Sequence, residues 1–160
     1  MRTFTDNAGR TWTIALTLDA AKRVRDLLKV NLLDLTEGDP PLLTRLDLDV
    51  ILLCDVIFCI VKPQADERKV TDEDFGRAMG GDAITAAHDA FWEELVDFFR
   101  QRRQTQIVAA LLKQTEIVQK AIELVEKKIN TISDKDLETA MNSGNWPGSS
   151  PGSPESPQAR

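Results

Sequence analysis

The chain has little cysteine and histidine, the residue types on which many enzyme sites and small secreted folds depend. It contains two cysteines and one histidine in 160 residues. Cys54 and Cys59 are too few and too close in sequence for the disulfide framework of a small secreted domain, so a reducing, cytoplasmic setting is expected. On a helix, side chains five positions apart point about 140° apart, so these two cannot easily bind one metal ion.

Long apolar runs are also missing. The longest, residues 50 to 61, is interrupted by Asp55 and is well short of the ~20 residues that a membrane-spanning helix needs. No apolar stretch follows the first charge near the N-terminus, so no secretory signal is expected. The net charge of −6 gives no sequence-wide attraction to phosphate groups. We expect neither a membrane nor a nucleic acid as a partner.

The single histidine and the glycine-rich segment lack the context that catalysis or cofactor binding needs. His88 lies within a predicted helix with no nucleophile motif around it, and is interpreted as a residue at the edge of the core beside Phe91 and Trp92. Residues 76 to 81 lack the Lys-Ser/Thr of a phosphate loop and the spacing of a dinucleotide loop. That segment indicates the end of a helix.

Acidic residues are concentrated in the middle of the chain. Residues 64 to 99 carry 3 basic and 10 acidic side chains. Glu93 and Asp97 share a helix face and, with Asp72 or Asp74, could bind Mg²⁺ as carboxylates do in nuclease sites. Acidic side chains near helix N-termini are favoured by the helix dipole in any case, and this simpler explanation is preferred. We therefore predict that the protein is not an enzyme and has no catalytic residue, metal ion or cofactor.

The N-terminal segment predicts a β-hairpin. Residues 2 to 18 alternate between apolar and polar side chains with the two-residue period of a strand. Between the two runs, residues 6 to 9 include an Asn and a Gly, which tolerate the backbone of a tight turn. Phe4 and Trp12 are then expected to pair on one face, and the hairpin must pack on the rest of the chain because it is marginal alone.

Apolar positions at three- and four-residue steps predict a series of helices after the hairpin. The helix over residues 50 to 61 is expected to be the central and most buried one, with Ile51 among its buried residues. The expected helices are Asp19 to about Val30; a short one with Leu42, Leu43 and Leu46; one capped by Asp49 that ends before Pro63; Thr71 to Met79; one opened by Asp82 that includes Phe98; residues 104 to 132; and Ser133 to Met141. The predicted fold class is α+β and mainly α-helical, with the hairpin packed on a bundle of about five to six helices.

The end of the chain differs in composition. Of the 19 residues from 142 to 160, five are Ser, three Gly and four Pro. Such a segment buries too little apolar surface to offset the entropy of ordering it. We predict one mainly helical domain over residues 1 to 141 and a flexible, disordered tail over residues 142 to 160, with Trp146 as the apolar residue of the tail.

The predicted helix over residues 104 to 132 carries a broad apolar band. A helix that is apolar over nearly two faces is either enclosed in the core or presents a docking face to a helix of another chain, and the sequence leaves both alternatives open. The candidate partner-binding residues, all apolar, are Ile107, Leu111, Val118, Ile122, Val125 and Trp146.

Several strings in the first two thirds of the chain resemble a family of phage proteins. They are DNAGRTWTIAL, KRVRDLLKVNLLDL, LLCDVIF, VKPQAD, TDEDFGRAMGGDAI and EELVDFF, within residues 6 to 99. With the chain length, the helical middle and the Ser/Gly/Pro-rich end, they are similar to bacteriophage tail assembly chaperones, small proteins encoded in tail gene clusters. Members of that family bind the tape measure protein before the tail tube polymerises around it. The resemblance carries no active-site residues to this sequence.

The resemblance implies a helper that covers a long, hydrophobic helical chain in the host cell cytoplasm and is absent from the mature virion. It also implies a frameshifted longer form made from the same start as a further partner, although nothing after Trp146 offers a second folded segment. A homo-oligomer is left open. The alternative is a structural virion protein, such as a connector or tail-completion subunit, which assembles as a ring and stays in the particle.

Overall fold

The computed structural model describes the backbone of residues 1–143 and, within that stretch, every side chain except those of residue 130 and residues 132–143. This described part confirms the predicted class, mainly helical with an N-terminal hairpin. Met1–Thr115 forms one compact unit, and a second unit begins at Glu116. The elements in chain order are β1 (Arg2–Thr5), β2 (Thr11–Ile14), α1 (Leu18–Leu28), α2 (Leu42–Leu48), α3 (Val50–Glu67), α4 (Asp72–Ala78), α5 (Asp82–Gln101) and α6 (Thr105–Ser143).

The hairpin has the predicted register. Strands β1 and β2 are antiparallel, and Phe4 lies opposite Trp12. Gly9 closes the turn at φ +75°, a backbone conformation that costs glycine nothing. Both paired aromatic side chains are buried, because β1 packs on α5 and β2 on α3. The hairpin is therefore part of the core of the first unit.

The turn of the hairpin is also tied to the connection between α4 and α5. The backbone N–H of Asn7 donates to the carbonyl of Ala78 at 3.0 Å, and its side-chain amide donates to the carbonyl of Gly80 at 2.8 Å. Arg10 Nη2 donates to the carbonyl of Asp74 at 3.2 Å. The bond to Ala78 satisfies a carbonyl at the end of α4 that has no partner within its own helix.

Three predicted helix starts can be compared with the structure. Asp49 accepts hydrogen bonds from the backbone N–H groups of the first turn of α3, and Thr71 forms a capping box with Asp74, so both caps are confirmed. The predicted cap at Asp19 is wrong. Helix α1 begins earlier because the hydroxyl of Thr17 accepts the N–H of Ala20, which places Asp19 in the first turn.

Helix α3 does not end before Pro63, as the sequence predicted, but continues to Glu67. A proline inside a helix removes the N–H that would reach the carbonyl four residues earlier, here that of Cys59. Arg23 of α1 supplies the missing donor, since its Nη1 lies 3.0 Å from the Cys59 carbonyl and 3.3 Å from that of Ile60. A contact from another helix thus compensates for Pro63. Helix α3 contacts α1, α2, α4, α5 and β2, which confirms its central position.

Replacing Arg23 with Ala is expected to lower the free energy of unfolding by about 1–3 kcal/mol, because it leaves the carbonyl at the proline without its donor. Arg25→Ala is the matched control: Arg25 lies in the same helix, is exposed and makes only a long ion pair of 3.8 Å with Asp26. Arg25→Ala should change the free energy of unfolding, measured with urea, by less than about 0.5 kcal/mol. Equal effects of the two substitutions would contradict this account of Pro63.

The last two predicted helices form one. Ser133 and Asp136 have the spacing of a cap, yet α6 runs without interruption over 39 residues, from Thr105 to Ser143. Neither Gly nor Pro occurs between the two predicted helices, so nothing in the sequence breaks the helix there. Among the described residues, no helix is both long and apolar enough to cross a membrane.

Candidate functional site

His88 lies in a network that joins three helices of the first unit. Its Nε2 is 3.3 Å from Asp47 Oδ1 on α2, its Nδ1 is 3.2 Å from Asp89 Oδ1, and its ring stacks on Trp92 at 5.0 Å. Asp47 Oδ2 also accepts from the side chain of Gln114 on α6, at 3.2 Å. The adjacent cleft of about 380 Å³ is lined by residues that include Trp92, Asp97 and Thr115. The contacts of His88 and Asp47 position α2, α5 and α6 relative to one another.

The carboxylates considered for Mg²⁺ contact arginines and cap a helix. Arg2 lies 3.1 Å from Glu93 Oε2 and 2.7 Å from Asp97 Oδ2, and its hydrogen bond lowers the pKa of Asp97. Asp74 belongs to the capping box of α4, and the hydrogen bond from Thr71 lowers its pKa. Within the described residues, no group of three or more His, Cys, Asp or Glu could hold a metal ion.

Cys59 is buried in the core of the first unit, and Cys54 is half-buried and packs against that core. Burial raises the pKa of Cys54 to about 11, and burial also raises the pKa of Cys59. The reactive form of a cysteine is its thiolate, which is scarce at neutral pH when the pKa is raised. Both residues therefore have the environment of small core side chains.

The candidate partner-binding residues of α6 divide into two groups. Leu111 is fully buried in the core of the first unit, with Ile107 half-buried beside it, so Leu111 offers no surface to a partner. Val118 is half-buried, whereas Ile122 and Val125 are 49% and 56% exposed. Trp146 lies outside the described residues. The first part of the apolar band is thus enclosed in the core of the first unit, whereas the later part is exposed.

Where the side chains of the second unit are described, the apolar residues of α6 lie on one side of the helix, and all of them are exposed except the half-buried Val118. At 100° per residue they fall within a sector of about 160°, which also contains Lys128. The residues of this face, called here the α6 face, are Ile117, Val118, Ala121, Ile122, Leu124, Val125 and Ile129. The side chains on the opposite side are charged, and there Lys120 Nζ lies 2.6 Å from Glu116 Oε1. Monomeric proteins rarely leave so many neighbouring large apolar side chains exposed, so this face is the candidate functional site.

A second exposed apolar cluster lies where α2 meets α3, and the sequence analysis missed it. Leu48, Val50 and Ile51 are 75%, 56% and 75% exposed. The prediction that Ile51 is buried is wrong, because the buried residues of α3 begin only at Leu53. The only signal in the sequence is three apolar residues around the Asp49 cap, which does not distinguish an exposed cluster from a buried one.

Comparison with known proteins adds nothing to this description, since no protein-family model, no curated protein and no solved structure matches the chain.

Proposed function

We propose that the protein is a phage tail assembly chaperone that binds the tape measure protein and keeps it soluble in the host cell cytoplasm until the tail is assembled. The observation that carries the proposal is the α6 face, which is apolar, exposed and helical. The resemblance of residues 6 to 99 to that family supplies the identity of the partner. The role is one of binding, without catalysis.

The mechanism is the removal of apolar surface from water. A long helical chain with apolar stripes aggregates because the stripes associate with one another. The α6 face can lie along such a stripe as one helix packs against another, with apolar anchors repeating every three or four residues. Burial contributes roughly 25 cal/mol per Å² of apolar surface, and the charged side of α6 keeps the complex in solution.

Co-expression with the tape measure protein of the same gene cluster tests the proposal. The tape measure protein should become soluble and co-purify with the chain. Replacing Ile122 and Val125 with Asp should reduce the amount that co-purifies at least tenfold, because two carboxylates would have to be buried against the partner. Neither side chain belongs to the core of the first unit, so circular dichroism should show an unchanged fold.

The matched control introduces the same two residues on the opposite side of the helix, as Lys120→Asp with Lys127→Asp. These substitutions change the net charge more than the test variant does, so a nonspecific charge effect would be larger in the control. The control variant should still bind the tape measure protein. A tape measure protein that stays insoluble, together with detection of the chain in purified virions by mass spectrometry, would instead support a structural subunit.

A further inference from the structure

The exposed apolar cluster where α2 meets α3 continues along α3. Leu48 and Ile51 are both 75% exposed. Ile51, Asp55 and Phe58 are separated by four and three residues, so they lie one above another on the same side of the helix. Phe58 is half-buried, and Lys62 lies over its ring at 5.8 Å, beyond the end of this series. These three residues, called here the α3 stripe, are two apolar side chains with a carboxylate between them.

The charge of Asp55 opposes folding of the first unit. Its side chain is half-buried, and burial raises its pKa, as do the negative charges of Asp72 and Asp49. Asp49 caps α3 and Asp72 lies in the first turn of α4, so helix geometry accounts for both of those residues. Asp55 lies in the second turn of α3, past the positions that the start of a helix favours for an acidic residue. In the described part of the chain it forms no ion pair, since Lys62 of the same helix pairs with Asp66 at 2.8 Å.

A carboxylate between apolar side chains is complementary to a lysine or arginine between apolar side chains. Long cationic side chains lie with their stems on an apolar surface and carry their charge to its edge. A cation placed against Asp55 would offset the repulsion from Asp49 and Asp72, and opposite charges across an interface select the partner that carries them. A helix packed along the α3 stripe meets it with side chains at the same steps of three and four residues.

We propose that the α3 stripe, with Leu48 and Val50 beside it, binds a helical segment of a partner protein that carries a lysine or arginine between apolar side chains. The cation lies against Asp55, and the apolar side chains of the segment cover Ile51 and its exposed neighbours. The inference does not depend on the proposed function, which uses the α6 face.

Two labelled helical peptides test the charge preference by fluorescence anisotropy with the full chain. One is built from leucine and lysine, and the other is identical except that glutamate replaces each lysine. The wild type should bind the lysine peptide roughly tenfold more tightly than the glutamate peptide. Asp55→Asn should remove most of this preference, and Asp55→Lys should reverse it. Glu67→Gln is the matched control, because it removes the same charge at an exposed position near the end of the same helix, and it should keep the preference.

The apolar part of the surface is tested with Ile51→Ser, which should weaken binding of the lysine peptide several-fold. Leu124→Ser is the matched control on the α6 face, where the side chain is 62% exposed, and should leave that binding unchanged. Neither residue belongs to the core of the first unit, so both variants should keep its fold. Asp55→Asn should be at least as stable as the wild type in urea unfolding, because it removes a charge that opposes folding.

Equal affinity of the wild type for the two peptides overturns the proposal, as does a preference that Asp55→Asn leaves intact. Loss of binding in Leu124→Ser but not in Ile51→Ser also overturns it, because the peptide would then lie on the α6 face. A lower stability of Asp55→Asn overturns it in a different way, by showing that the carboxylate serves the fold. Self-association of the wild type in gel filtration that Ile51→Ser abolishes would identify the occupant as a second copy of the chain, contrary to the proposal.

Discussion

Asp6→Ala is expected to lower the free energy of unfolding by about 3–5 kcal/mol, because it removes a buried acceptor from four hydrogen bonds, one of them an ion pair with the half-buried Arg10. The Asp6 side chain is fully buried and lies 2.7 Å from Arg10 Nε. It also accepts hydrogen bonds from the indole of Trp12 at 2.8 Å and from the backbone N–H groups of Ala8 and Arg10, both at 2.9 Å. Without the carboxylate, the indole and the two backbone donors would be left without acceptors.

Urea unfolding measures the effect, and Asp66→Ala is the matched control. Asp66 and Lys62 form an ion pair with the same four-residue separation, at 2.8 Å, but Asp66 is exposed and Lys62 is only half-buried. Exposed pairs contribute little, so this substitution should cost less than about 1 kcal/mol. If the two substitutions cost the same, the hairpin does not depend on the buried carboxylate.

The contribution of Asp6 should also depend on pH. Burial raises the pKa of Asp6, but the hydrogen bonds from Trp12 and Arg10 and the charge of Arg10 outweigh it, so the net pKa is lowered. A pKa below the unfolded value of about 3.9 means that the stabilisation is present above that pH and is lost as the pH falls through the folded pKa. The Asp6→Asn variant has no ionisable group at this position, so its stability lacks this pH-dependent contribution. The difference in stability between wild type and Asp6→Asn should therefore stay constant from neutral pH down to about pH 5 and shrink as the pH falls further.

Features set by neighbouring residues could be predicted from the sequence. The pairing of Phe4 with Trp12 follows from a two-residue period and a turn that contains glycine. The caps at Asp49 and Thr71 follow from side chains that bond to backbone only a few positions away. In each case the interaction that decides the structure lies within one element or one turn, so the pattern alone contains it.

Features set by distant residues could not be predicted. Pro63 normally ends a helix, and only the position of Arg23, 40 residues earlier in the chain, lets α3 continue. Burial along α6 is decided in the same way. Leu111 and Ile122 belong to one apolar pattern, yet the first is covered by its own unit and the second is exposed. Periodicity shows which side of a helix is apolar, but not which part of that side the chain itself covers.

Leu111→Ala should consequently lower the free energy of unfolding by about 2–5 kcal/mol, because it leaves a cavity at a fully buried position. Leu112→Ala is the matched control, one residue further along the same helix and 53% exposed, and should cost less than about 1 kcal/mol. Urea unfolding of both variants separates them. A small effect of Leu111→Ala would mean that this residue is not held in the core.

The same comparison decides how a loss of tape measure binding is to be interpreted. A variant at Leu111 that no longer binds has lost its fold before it has lost a contact, so it provides no information on the site. Ile122→Ala removes a side chain that lies outside the core of the first unit, and should leave the unfolding of that unit unchanged while weakening co-purification. If Ile122→Ala destabilised the first unit as much as Leu111→Ala does, the α6 face would be part of its core and could not serve as a surface for a partner.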